Sequence, residues 1–106
     1  MDTHADDKEM ELTQSELMKR AFGKVVALHR DRAGFKQRQF SNVVGISNSH
    51  LRGIEAGSVS PTFITICKIA ETLEEPPDRL VGEAWEEILA ERPRVCIDYP
   101  RAYRQP

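Results

Sequence analysis

The 106-residue chain has no long apolar run, and nothing in it approaches the roughly 20 consecutive residues of a membrane-spanning helix. Its opening, "MDTHADDKEMEL", is acidic and polar and lacks the basic-then-apolar order of a secretory leader. A cytoplasmic location is therefore the expectation. Only two cysteines are present, Cys67 and Cys96, with neither metal-ligand spacing nor a disulfide framework around them. They are read as two reduced thiols. Runs of β-branched residues are short, which argues against a sheet. There is no Gly-rich phosphate loop, no paired-carboxylate pocket and no nucleophile beside a base, so the chain is not expected to be an enzyme. His29 and His50 each lack a second ligand three or four residues away, and neither a metal nor a cofactor is expected.

Charge of one sign is unevenly absent. The formal net charge is −2, yet residues 19–57 carry eight Lys/Arg against two Asp/Glu, a balance of +6. The segments on either side are acidic, at −5 for residues 1–18 and −3 for residues 58–106. Phosphate contacts depend on the local field and not on the whole-chain charge, so the basic middle points to nucleic acid.

What is present is helical punctuation. Residues 1–12 carry charge without apolar periodicity and read as a disordered acidic arm. "TQSE", Thr13 to Glu16, is a capping box. Leu17, Ala21, Phe22, Val25 and Leu28 follow at helical spacing, with Gly34 as the stop. A second short helix is predicted from about Gln37 to Val44, burying Phe40 and Val44 and ending at Gly45. In "GISNSHLRGIEAG" Ser47 caps a third helix, about residues 47–56, and Gly57 closes it. Leu51 and Ile54 face the core, while Asn48, Ser49, His50 and Arg52 face out. Thr62 caps a fourth helix with Phe63, Ile66, Cys67, Ile69, Ala70 and Leu73 inward. Pro77 suits the first turn of a fifth. "EAWEEILAER" either continues that helix through Gly82 or begins a sixth, and Pro93 stops it.

A short helix, a glycine turn and a short polar-faced helix is the arrangement of DNA-binding helix pairs, whose second member lies in the major groove. Gly45 supplies the turn, Ile46 an apolar anchor, and Asn, Ser, His and Arg the groups that reach base edges. At this point "HRDRAGFKQRQFSNVVGISNSHLRGIEAGSVSPTFITICKIAETL" resembles the lambda-repressor/Cro-like, or Xre-type, helix-turn-helix family. Arg30, Gly34, Gln37, Phe40, Gly45, Ile46, Ser47, Leu51, Ile54, Glu55, Gly57, Pro61, Ala70 and Leu73 fall in register with its pattern. The match spans about residues 17–81.

The resemblance implies an all-α, five-helix DNA-binding domain over residues 13–82, with residues 83–106 as a C-terminal helix and tail. It implies that Gln37 clamps a phosphate and that Asn48, Ser49 and His50 face bases. Arg52 and Gly53 match the next exposed pair, and Arg30 with Glu55 matches an ion pair joining the first helix to the third. Two positions depart from the pattern. Lys36 stands where Ser or Thr usually caps the second helix, adding a phosphate-directed charge beside Arg38. Gly53 stands where a long polar side chain often reads a base. The DNA-binding set is therefore Lys36, Gln37, Arg38, Ser47, Asn48, Ser49, His50, Arg52 and Gly53. The expected function is sequence-specific transcriptional regulation, by repression, as a homodimer on double-stranded DNA. Trp85, Ile88, Leu89, Val95, Ile97, Tyr99 and Tyr103 either cover the domain's own core or form a surface for dimerisation or a protein partner, with dimerisation expected. The rival reading is an antitoxin-like interaction module with secondary DNA binding.

Overall fold

The computed structural model describes residues 13–91. Five helices follow one another: α1 Gln14–Arg32, α2 Gln37–Val44, α3 Asn48–Ala56, α4 Phe63–Leu73 and α5 Pro77–Glu91. The architecture is all-α, and the described residues hold no strand. The expectations for the acidic arm and for the tail beyond Arg92 fall outside the described residues.

Local chemistry sets the ends of these helices. At α1 the Thr13 hydroxyl accepts from the Glu16 N–H at 3.1 Å, and the Thr13 N–H donates to the Glu16 carboxylate at 3.2 Å. Gly45 closes α2 at φ +91° and Gly57 closes α3 at φ +78°, the left-handed region where a Cβ is unfavourable. Ser47 and Thr62 cap α3 and α4 by accepting from the N–H groups of His50 and Thr65.

The core is one cluster drawn from every helix, with Val26, Phe40, Leu51, Ile54, Ile69 and Leu80 fully buried. α1 and α5 run antiparallel. Lys24 pairs with Glu87 at 2.9 Å, and His29 Nε2 donates to Glu83 Oε1 at 2.7 Å.

Two expectations are corrected. Leu28 is 47% exposed. At 100° per residue Leu28 lies on the same stripe as the buried Leu17 and Ala21, but two to three turns further along α1, where it sits beside Lys24 and Asp31 and the covering elements no longer reach. Phe63 is 75% exposed. The inward residue of that first turn is Thr65, whose hydroxyl is satisfied by Thr62 at 3.1 Å, and Phe63 lies at the opposite edge of the arc. Of the two readings left open for "EAWEEILAER", the structure has the continuous helix. α5 runs through Gly82 and contributes Ala84 and Ile88 to the core.

Gly82 itself is exposed, and a Cβ there would meet nothing within 4 Å. Gly82→Ala should therefore stabilise the protein by about 1 kcal/mol through helix propensity. A thermal melt with an unchanged or lower midpoint would refute this.

Candidate nucleic-acid interface

The turn between α2 and α3 is built on Ser41. Its carbonyl accepts from the N–H of Gly45 at 2.8 Å and from that of Ile46 at 3.0 Å. The half-buried Ile46 side chain packs on the core and anchors the turn. The first turn of α3 follows, so the placement of Asn48, Ser49 and His50 is dictated by backbone geometry and the Ser47 cap.

A buried carboxylate fixes the angle between helices. Glu55 Oε2 accepts from Arg30 Nε at 2.7 Å, and Glu55 Oε1 accepts from Arg30 Nη2 at 3.1 Å and from Gln37 Nε2 at 2.8 Å. Arg30 Nη1 also donates to the Phe35 carbonyl at 2.8 Å. The two charged side chains are only 14% and 7% exposed. The structure thus brings Arg30 and Glu55 together and adds Gln37, whose amide spends a donor inside the protein. α1, α2 and α3 meet at this one carboxylate.

Bonding to Glu55 raises the Arg30 guanidinium above its ordinary value, against desolvation, which lowers it. A raised base contributes stability below its unfolded value and loses it only as pH climbs through the folded one. That window lies in strong alkali, so the pair holds its arginine charge across the neutral range.

A second device sets α3 against α1. A Cβ on Gly23 would lie 2.3 Å from the Ile54 carbonyl oxygen and 2.7 Å from that of Glu55. The two backbones touch there, and only hydrogen fits between them. Sequence reading passed over Gly23, because a glycine inside a helical run carries no local signal of a partner 31 positions later.

On the outer surface Lys36, Arg38, Ser47, Ser49 and Arg52 are exposed, and none of the three cations is ion-paired among the described residues. Lys36 provides no side-chain cap to α2. Gln39 supplies half of one instead, its side-chain oxygen accepting from the Lys36 N–H at 3.1 Å. That signal was available, since a glutamine three residues after the cap position is the second half of a capping box.

Asn48 and His50 are half-buried. The Asn48 Oδ1 is buried and has no hydrogen-bond partner among the described residues. A two-point contact to adenine needs that oxygen as acceptor, so it requires rotation of the side chain out of this conformation. Gly53 does not present open backbone. A Cβ there would sit 2.7 Å from the Val59 Cγ2, and the Gly53 carbonyl accepts from the N–H groups of Ser58 and Val59. The loop after α3 folds over this position, where sequence reading left a bare stretch of helix.

Comparison with known proteins places this geometry. A family model described as helix-turn-helix matches residues 26–80. Among solved structures, the restriction-modification controller protein C.AhdI from Aeromonas hydrophila is 26% identical with a TM-score of 0.57, covering 58% of this chain and 94% of that one. The clp gene regulator ClgR from Corynebacterium glutamicum shares the fold, at 16% identity and a TM-score of 0.69, over 72% of this chain and 81% of that one. No curated protein matches. No helix among the described residues is long and apolar enough to cross a membrane.

Proposed function

Because the chain belongs to the helix-turn-helix family of lambda-repressor type, a family of DNA-binding transcriptional regulators, we propose that it is a sequence-specific repressor that reads the major groove with the exposed face of α3. The observation that carries this reading is a polar helix face held rigidly to α2 by Glu55 and to α1 through Gly23. A reader of base edges must be held in one orientation, and two independent devices serve that end here.

Three exposed cations, Lys36, Arg38 and Arg52, flank the face and supply phosphate contacts. The unpartnered Asn48 Oδ1 adds a specific argument. A buried acceptor left unpaired costs about 1–3 kcal/mol. Rotation toward an adenine amino group removes that cost, so the side chain is favoured to turn outward when DNA arrives. Ser49, His50 and Arg52 supply the remaining polar contacts, while Gln37 steadies the α2 start from within. Repression asks for nothing beyond occupying a promoter site in the cytoplasm. The controller and regulator roles named for the two solved neighbours agree with transcriptional regulation of either sign. A homodimer presents two such helices about 34–36 Å apart, one turn of duplex.

The test is selection of sites from random duplexes, followed by affinity measurements across salt. With three phosphate-facing cations per protomer, log K should fall with log salt by roughly 2.7 per protomer, at about 0.9 per phosphate. Asn48→Ala should lose about 1–3 kcal/mol on the selected site alone, and Arg38→Ala should weaken selected and scrambled DNA alike. Salt-independent binding, or none, would overturn the DNA reading. Equal losses for Asn48→Ala on both duplexes would remove its reading role.

A further inference from the structure

Away from α3, an apolar groove of about 460 Å³ lies between α1 and α5, walled by Met18, Phe22, Ile66, Val81, Trp85 and Ile88. Its volume falls within the range of small-ligand pockets, and its walls are mainly hydrocarbon and aromatic, with Ser15, Lys19 and Ser60 the polar residues among them. Left to water, such a surface is costly, and Met18 at 39% and Val81 at 48% are among the most exposed large apolar residues of the domain. The helix that forms one wall ends at Glu91, one turn beyond Ile88. Fifteen further residues follow, "RPRVCIDYPRAYRQP".

That segment matches the groove in three respects. Pro93 has no N–H with which to extend α5, so the sequence favours a break there, near the groove. Val95, Ile97 and Tyr99 then alternate with Arg94, Cys96 and Asp98, the period of an extended segment with one apolar face. At about 3.3 Å per residue, Val95 to Tyr99 spans roughly 13 Å. Val81 to Ile88 along α5 spans roughly 10 Å.

Charge agrees as well. The segment carries Arg92, Arg94, Arg101 and Arg104 against Asp98, while α5 carries Asp78, Glu86 and Glu91 against Arg79 besides Glu83 and Glu87, which are already paired with His29 and Lys24. Residues 1–12 carry five Asp/Glu against one Lys, the same sign as α5, and offer no alternating apolar face. The acidic arm is thus a poor occupant.

We propose that residues 93–103 dock in this groove of their own chain, with Val95, Ile97 and Tyr99 against its apolar walls. Attachment at Glu91 puts the segment at an effective concentration in the millimolar range, above any second copy in dilute solution. The tail is then a strap across α1 and α5, and dimerisation falls to another surface.

Trp85 is the single tryptophan of the chain, which makes it the reporter. In the full-length protein, the triple substitution Val95→Ser, Ile97→Ser, Tyr99→Ser should shift Trp85 emission to longer wavelength and at least double its quenching by acrylamide. Unchanged emission and quenching would overturn the proposal. A second measurement stands independently of that variant's folding. Met18→Cys with Ile97→Cys, in a Cys67→Ser, Cys96→Ser background, should form a disulfide within one chain on oxidation at low micromolar concentration. A disulfide joining two chains would assign the tail to a second copy, and no disulfide would show the groove unoccupied by it. Either result sinks the proposal.

Discussion

Glu55→Ala should lower the stability of the domain by about 3–5 kcal/mol, because it strands a buried arginine without its counter-charge. Arg30 would keep one bond, to the Phe35 carbonyl, and lose two. Gln37 would lose its acceptor as well. At about 4–8 °C per kcal/mol for a domain of this size, the melting midpoint should fall by on the order of 15–30 °C. Arg30→Ala should cost a comparable amount, and the double variant should lose less than the sum, since both singles break the same contacts. Two single variants melting like the parent would show that water screens this pair. DNA affinity measured below the transition should fall as well, because α2 and α3 lose the carboxylate that fixes their angle.

Gly23→Ala is expected to destabilise at or above the upper end of the roughly 1–3 kcal/mol typical of overpacking. The atoms in the way are backbone oxygens of Ile54 and Glu55, which cannot swing aside as a side-chain terminus can. Alanine recovers about 1 kcal/mol of helix propensity, and this gain is too small to reverse the sign. The variant should also bind its operator more weakly than its folded fraction explains, since α3 must retreat from α1 to admit the methyl group. Gly82→Ala, with the same chemical change and open space around it, should move stability the other way. If both substitutions stabilise alike, the contact of the α1 and α3 backbones is not tight.

These two variants mark where sequence reading succeeds and where it stops. Helix ends were legible because caps and left-handed glycines act within four residues, as at Thr13, Ser47, Gly45 and Gly57. The span Gln37–Val44 was readable for that reason. Facing was legible wherever a neighbour covers the stripe, so Leu51 and Ile54, and Leu17, Ala21, Phe22, Val25, Ile69 and Ala70, were placed, while Leu28 and Phe63 were not. Periodicity marks an apolar stripe but not where the neighbouring element stops covering it. Gly23 and Gly53 were opaque for a different cause. What occupies the space of a missing side chain is decided by carbonyls or a loop elsewhere in the chain. The inward turn of the Asn48 Oδ1 is a rotamer, which residue identity does not encode.

The antiparallel pairing of α1 with α5 has a consequence for synthesis. Lys24 and His29 find their partners at Glu87 and Glu83, 63 and 54 residues onward. Leu17, Val25 and Phe22 share a core with Leu80, Ala84 and Ile88. The first helix to leave the ribosome therefore waits for the last before its apolar face is covered. At about 5–20 residues per second the wait is roughly 3–12 s. α3 emerges midway through that interval, before the scaffold that orients it exists. A nascent chain can thus carry the whole polar face of α3 and still lack the frame that orients it, until α5 has packed through Ile88.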